Sequence, residues 1–225
     1  MTFDDIKSVD NKFLLLEINH SYYTATGLLI IRNLNGDQLA SFLLKLVVDP
    51  KDKHKFPKVS EVVPTLPFDE DRHINQDGTF CMAMIHREIL LCMRGLTFDE
   101  FVNIIMYPFL TNQYLIEIGE VDTFLMGEYE HKEKGILQYY QELFPGFTLE
   151  QLLSILAFIG RHEINRRQNV RCPCGSGRLM NYCHYDVFKE LKSMGKERIL
   201  EDFATLELIY QGHDFMKNEN IQLND

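Results

Sequence analysis

Three cysteines and one histidine near the C-terminal end most constrain the fold: Cys172, Cys174, Cys183 and His184. Three thiolates and one imidazole suit tetrahedral Zn²⁺, and Gly175 permits the tight turn between them. Because four protein ligands leave no open position, this zinc is predicted to be structural. Free thiols or a disulfide are the alternatives, which such a cluster disfavours in an intracellular chain.

The same segment, RCPCGSGRLMNYCH, resembles the SEC-C motif, which is best known from the C-terminus of the preprotein translocase ATPase. The motif also occurs as an appendage on many unrelated bacterial proteins. The resemblance implies that the four ligands bind zinc. It also implies that the zinc knuckle, residues 171–185, contacts another protein or the ribosome.

The first third of the chain has the pattern of antiparallel strands. Tyr23–Arg32 and Leu39–Asp49 are rich in β-branched and aromatic residues, and the Asn-Gly pair between them is typical of a hairpin turn. Val59–Val63 is a third predicted strand, which completes a meander. Residues 1–20 leave helix and strand both open, because Phe3, Ile6 and Val9 fit a helical stripe.

Helical signals dominate after residue 81. Thr97 with Glu100, and Thr148 with Gln151, are capping boxes that mark two helix starts. Helices are predicted over Phe98–Tyr107, Lys134–Phe144, Thr148 to about Arg167, Tyr185–Met194 and Lys196–Tyr210, with frayed residues from Lys217. The predicted class is α+β, with one domain over residues 1–145 and a helical region over 146–225 that holds the knuckle.

A lone cysteine, Cys81, follows the meander in an arrangement typical of a reactive site. It comes after a Phe-Pro-Lys-Val corner at residues 56–59, the tripeptide His73-Ile74-Asn75 and an Asp-Gly turn. The alternative is that Cys81 is a buried small apolar residue, which is common for free cysteines.

This order of features resembles the ubiquitin-conjugating enzyme family, in particular its divergent bacterial members encoded in anti-phage operons. The family combines a four-strand meander flanked by helices with a His-Pro-Asn tripeptide and an active cysteine; here Ile74 replaces the proline. The resemblance covers roughly residues 1–145. It implies that Cys81 is the catalytic residue, that Asn75 stabilises the oxyanion, and that His73 shapes the turn.

The implied activity is acyl transfer. Cys81 would accept the C-terminal carboxyl of a partner protein as a thioester and pass it to an amine of an acceptor protein. The attacking amine must be neutral, and Asp69, Asp71 and Asp77 are equal candidates to assist it. In the bacterial operons the carried protein is a cGAS/DncV-like nucleotidyltransferase that makes cyclic oligonucleotides. Because the chain has no Gly-rich ATP-binding loop, a separate activating enzyme is expected.

Charge and hydropathy bear on compartment and partners. No apolar run approaches the ~18 residues of a membrane helix and the first residues are acidic, so a soluble cytoplasmic protein without a membrane partner is expected. The net charge of -10 disfavours nucleic acid, although residues 161–198 hold nine basic and four acidic residues, a net +5. A non-catalytic adaptor with this fold and knuckle is the second hypothesis, and a nucleic-acid- or ribosome-associated protein is the third.

Overall fold

A four-stranded antiparallel sheet begins the described part of the chain, in the order β1-β2-β3-β4. The strands are β1 Phe13–Ile18, β2 Tyr23–Arg32, β3 Gln38–Val48 and β4 Lys58–Glu61. The computed structural model describes residues 13–18, 23–49, 51, 54–122, 133–166 and 169–222. The ambiguous N-terminal stretch is therefore a strand from residue 13, and the predicted helical stripe before it lies outside the described residues.

The β2–β3 hairpin is closed by an asparagine. Asn33 Oδ1 accepts hydrogen bonds from the backbone N–H groups of Asn35 and Asp37, each 2.9 Å long. Gly36 has a φ of 88°, a left-handed conformation that glycine adopts without steric cost. The turn thereby fixes the register in which Leu28 faces Leu43 and Ala25 faces Leu46.

One face of the sheet packs against helices. Alternate residues of β3 are buried, because side chains along a strand point to opposite faces in turn. The helices are α1 Ile85–Met93, α2 Phe98–Glu100 and α3 Tyr107–Glu117, with a π-helical segment Phe101–Met106 joining α2 to α3. The shared core includes Ile31, Leu44, Leu46, Val59, Phe98, Phe101, Met106 and Leu110.

The Thr97 capping box is confirmed, since the Thr97 hydroxyl accepts from Glu100 N–H and the Glu100 carboxylate accepts from Thr97 N–H. The predicted end of this helix at Tyr107 is wrong, because helical backbone continues to Glu117. Pro108 lies in the first turn of α3 and has no N–H to donate. The wider π turn directly before it accommodates the missing donor without ending the helix.

The second unit is helical: α4 Glu133–Leu143, α5 Leu149–Arg161, a 3₁₀ turn Met180–Tyr182, α6 Tyr185–Ser193 and α7 Lys196–Gln222. The units divide between Glu128 and Tyr129, so the predicted boundary at residue 145 is too late. The reason is that α4 packs on α7, where the buried Tyr140 hydroxyl donates to Asp202 Oδ2 at 2.7 Å.

Two other predicted helix ends also move. α5, whose Thr148–Gln151 capping box is confirmed, stops at Arg161 rather than near Arg167, because His162 is extended with φ -116° and ψ 148°. α7 continues to Gln222, twelve residues beyond the predicted end at Tyr210. Within the described residues, no helix combines the length and the apolar character needed to cross a bilayer.

Candidate functional sites

Cys81 ends a short hairpin that brings it beside the predicted tripeptide. The Cys81 N–H donates to the His73 carbonyl at 2.8 Å, and the Asn75 N–H donates to the Thr79 carbonyl at 2.9 Å. His73 has a φ of 56°, so its backbone turns the chain. The hairpin thus brings the backbones of His73 and Cys81 together, although the two residues are eight positions apart.

The hairpin, residues 73–81, is attached to the sheet and the core. Its central pair, Ile74 and Phe80, form an antiparallel bridge and are 2% and 8% exposed. Phe80 N–H donates to the Val59 carbonyl at 2.8 Å, and Ser60 bridges to Thr79. The hairpin therefore extends the edge of β4, which restricts movement of the exposed cysteine at its end.

The Asn75 amide belongs to a hydrogen-bond chain in the turn. Asn75 Nδ2 donates to Thr79 Oγ1 at 3.0 Å, and Thr79 Oγ1 donates to Asp77 Oδ1 at 2.6 Å. The hydroxyl and N–H of Thr79 stabilise the Asp77 carboxylate and lower the pKa of that carboxyl. Asn75 is exposed. Its amide is therefore oriented by Thr79 and also accessible to solvent.

The candidate acids differ in their surroundings. Asp69 Oδ1 accepts from Asp71 N–H at 2.9 Å, and the Asp69 carbonyl accepts from Ile74 N–H at 3.0 Å. Asp69 therefore stabilises the turn that leads into the hairpin. Of the three carboxylates, Asp77 lies within the hairpin itself.

Cys81 is exposed, but its environment does not favour the thiolate. The surrounding protein desolvates the sulfur and raises the pKa of Cys81, and the negative charge of Glu88 raises it further. Glu88 is held in place because its Oε1 accepts from Phe56 N–H at 2.7 Å. The thiol is thus accessible to a partner without being strongly activated in advance.

The four predicted metal ligands converge. Their donor atoms all lie within 4.8 Å of one another. Cys174 Sγ is 3.6 Å from Cys183 Sγ, and His184 Nδ1 is 3.4 Å from Cys172 Sγ and 3.3 Å from Cys183 Sγ. A tetrahedral ion with metal–ligand bonds of 2.0–2.3 Å requires edges of about 3.5–3.8 Å. The cluster can therefore hold a metal ion, and a disulfide, with sulfurs about 2.05 Å apart, is absent from it.

Backbone pairing builds this cluster. Cys172 N–H donates to the Arg178 carbonyl at 2.8 Å, and Met180 N–H donates to the Val170 carbonyl at 2.9 Å. Gly175 has a φ of 80°, which permits the turn between the first two ligands and the rest. The two short stretches on either side of the turn thus run antiparallel, with all four ligand atoms at one end.

Two thiols of the cluster titrate in opposite directions. Burial raises the pKa of Cys172 to about 12. Burial acts the same way on Cys174, but hydrogen bonds with the side chain and backbone of Ser176 outweigh it and lower the pKa to about 6. Ser176 Oγ lies 3.1 Å from Cys174 Sγ. Because metal ligands must be deprotonated, binding has to expel the proton of Cys172.

Three phenylalanines surround the imidazole of His184. Its ring stacks on Phe188 at 5.7 Å between centroids and meets the edges of Phe144 and Phe147 at 5.5 and 5.8 Å. Phe144 and Phe188 are 1% and 0% exposed. The cluster is therefore part of the core of the second unit, and the loss of its ligands would disturb that core.

No family model, curated protein or solved structure matches this chain.

The sequence alone missed two residues around Cys81. Glu88 follows Cys81 by seven positions, and only the fold brings its charge to the sulfur. Arg72 donates from Nε to Gln113 Oε1 at 3.0 Å and contacts Glu117, while Gln113 Nε2 donates back to the Arg72 carbonyl at 2.6 Å. This contact ties the start of the hairpin to α3 across 41 positions, a separation with no local sequence signal.

Proposed function

We propose that the chain is a cysteine-dependent acyl transferase, in which Cys81 carries the C-terminal carboxyl of a partner protein as a thioester. The observation that carries this proposal is the exposed residue Cys81 at the end of a hairpin that is hydrogen-bonded to β4 and packed into the core. A reacting sulfur must be reachable by two other proteins in turn, yet held in one place. Burial as a small apolar residue, the alternative reading of Cys81, does not agree with its exposure.

The chemistry is two successive displacements at one carbonyl. Cys81 Sγ forms a bond to the carbonyl carbon of a thioester delivered by an activating enzyme. The thiolate of that enzyme leaves with the electron pair, and the proton of the Cys81 thiol passes to it. An acceptor amine then attacks the same carbon, the Cys81 thiolate leaves, and the amine proton passes to a base or to water. The raised pKa of Cys81 limits its reaction with other electrophiles, because little thiolate exists at neutral pH.

Asn75 is the proposed donor to the oxyanion. A preorganised donor stabilises the tetrahedral intermediate more than one that must reorient. Thr79 already orients the Asn75 amide at 3.0 Å, and the amide is exposed at the same hairpin as the sulfur. His73 acts through its backbone, whose carbonyl accepts the Cys81 N–H at 2.8 Å.

The finer fold assignment belongs to this proposal. The four-strand meander, the corner at Pro57, the hairpin and the following helices occur in the order found in ubiquitin-conjugating enzymes. We propose a bacterial member of that family from an anti-phage operon. The carried protein is then a cyclic-oligonucleotide-forming nucleotidyltransferase, the acceptor is an amine-bearing protein, and the compartment is the cytoplasm.

Zinc is the proposed metal of the Cys172–His184 cluster. A Cys₃His donor set whose atoms all lie within 4.8 Å of one another is typical of structural zinc. The SEC-C-like knuckle is proposed to dock a partner protein, as in the family that it resembles.

Trapping the carried protein tests this function. In the Cys81→Lys variant, an amine replaces the thiol, so that transfer yields a stable isopeptide in place of a labile thioester. The variant is expressed in the native host, isolated under denaturing conditions and analysed by mass spectrometry. Cys81→Arg is the matched control, because it adds the same charge but its guanidinium does not form the isopeptide. A C-terminal peptide joined to residue 81 in the lysine variant alone is the expected result.

A non-catalytic adaptor is the second candidate, and the raised pKa of Cys81 is the observation that favours it. In that case the same fold would only bind proteins, and the knuckle would recruit the partner. The two functions differ in their response to substitution. Cys81→Ala abolishes the activity of a transferase and leaves an adaptor unchanged, whereas Cys172→Ser disables an adaptor by disrupting the knuckle.

A further inference from the structure

The sequence around the metal cluster is basic and contains no acidic residue. Between Ile164 and Tyr185 there are four arginines and neither aspartate nor glutamate. Three thiolates and one divalent ion together carry about one negative charge, so the stretch stays positive with the metal bound. All four cationic residues are arginines. The planar guanidinium of arginine binds a phosphate through two hydrogen bonds at once and also stacks on aromatic rings.

The fold holds the backbones of Arg166, Arg171 and Arg178 at the knuckle. Arg171 pairs with Leu179 in a β-bridge, and its Nη1 donates to the Gly177 carbonyl at 3.0 Å, next to Arg178. Asn181 Nδ2 donates to the Arg166 carbonyl, which brings that arginine beside the 3₁₀ turn. Backbone segments before and after the cluster are thus held side by side, and Arg166, Arg171, Arg178 and Tyr182 on them are all exposed. We call Arg166, Arg171, Arg178 and Tyr182 the arginine face.

The arginine face also presents an aromatic ring. Tyr182 is 80% exposed, although it lies directly before the ligand Cys183. Arg166 already makes an aromatic contact at this surface, since its guanidinium carbon lies 4.9 Å from the centroid of the Tyr185 ring. Its ion pair with Asp186 is long, 3.4 Å, and both side chains are solvent-exposed, so it competes weakly with another anion.

We propose that the arginine face binds single-stranded nucleic acid, with guanidinium groups on the phosphates and an unpaired base stacked on Tyr182. Basic side chains that follow the backbone and aromatic rings that stack bases are the two elements of such surfaces. An acidic protein partner would explain the positive charge of the arginines, but it would not explain the exposed ring of Tyr182. This site is separate from acyl transfer and does not depend on it.

The acidic overall charge does not prevent this binding. The screening length is about 8 Å at physiological ionic strength, so carboxylates farther away are largely screened. The net charge of -10 gives the average over the chain, whereas residues 161–198 carry a net +5. The electrostatic interaction of a short oligonucleotide bound to the arginine face therefore depends mainly on the local charge.

Fluorescence anisotropy with labelled oligouridylate and oligothymidylate tests the proposal on the full metal-loaded chain. With three described arginines, the slope of log K against log salt should be about -2, and Arg178→Gln should reduce its magnitude by about 0.7. Tyr182→Ala should lower the affinity roughly 5- to 150-fold, the range for loss of one stacked base, and Tyr182→Phe should retain it.

Arg87→Gln is the matched control, because it removes one exposed arginine from α1 in the first unit. Undiminished binding by this variant, with loss in Arg178→Gln and Tyr182→Ala, is the expected result. Three results would overturn the proposal: no binding at low salt, equal loss in all three variants, or equally effective competition by polyglutamate. The last would identify a surface for acidic proteins. Circular dichroism and metal content verify that each variant is folded and loaded.

Discussion

Replacing one metal ligand should unfold the knuckle and destabilise the second unit. Cys172 is 4% exposed, and its sulfur lies 3.4 Å from His184 Nδ1. Cys172→Ser substitutes a hydroxyl, which is a poor zinc ligand, and leaves three of the four donors. Structural zinc contributes on the order of 10–16 kcal/mol of binding free energy at neutral pH. The free energy of unfolding of a whole domain is about 5–15 kcal/mol. Losing most of the zinc-binding free energy should therefore unfold the second unit.

The three phenylalanine rings around His184 determine how far the damage spreads. Phe144 and Phe188 are almost fully buried, so an unliganded His184 leaves a disturbed core between α4, α5 and α6. We therefore expect Cys172→Ser to lose helical circular dichroism signal and the thermal transition of the second unit. Fluorescence of an environment-sensitive dye should rise as these rings are exposed.

Ser176→Ala is the graded control for this experiment. It keeps all four ligands and removes only the hydroxyl 3.1 Å from Cys174 Sγ. Outer-shell partners of this kind are worth about 10- to 100-fold in metal affinity. The variant should therefore bind one metal ion per chain, more weakly in a chromophoric chelator competition. A Cys172→Ser protein with stoichiometric metal and an unchanged melting curve would show that Cys172 is not a ligand on which the second unit depends.

Three further predictions concern single groups. Because the pKa of Cys81 is raised, alkylation of its thiol by iodoacetamide should be slow at pH 7, and the midpoint of its pH dependence should lie above the ordinary thiol pKa. Glu88→Gln should lower that midpoint, which mass spectrometry at a series of pH values measures. An unchanged midpoint in this variant would contradict the role of Glu88. Tyr140→Phe removes a 2.7 Å hydrogen bond to the carboxylate of Asp202 and should lower the free energy of unfolding by about 1.5–3 kcal/mol in urea titration, whereas a change near zero would contradict a stabilising bond. Gly78→Ala places a β-carbon at a φ of 78°, which should cost about 1–2 kcal/mol in the same titration, and no loss would contradict strain at this turn.

The strand pattern and the caps were predictable because their signals are local. The Asn33–Asp37 turn, the Thr97 capping box and the alternation in β3 each depend on residues a few positions apart. The Cys₃His cluster was predictable for the same reason, since its four ligands span 13 positions. Its convergence follows from local spacing together with the turn at Gly175.

What the sequence did not predict depends on distant contacts. The boundary between the units depends on Tyr140 meeting Asp202, 62 positions away. The surroundings of Cys81 depend on Glu88 in α1, while the hairpin is held through Arg72 and Gln113. Such partners are selected by the tertiary fold, and a single sequence gives no pattern by which to pair them.

Intact-mass measurement of the wild-type chain detects a thioester on Cys81 directly. The chain is isolated from the native host under acidic, non-reducing conditions, which preserve thioesters, and is measured before and after treatment with dithiothreitol and with hydroxylamine. We expect an added mass equal to a second protein less water, removed by both reagents and absent in Cys81→Ala. An adduct that persists in Cys81→Ala, or a wild-type chain that carries none in cells with the activating enzyme and the carried protein present, would contradict this expectation.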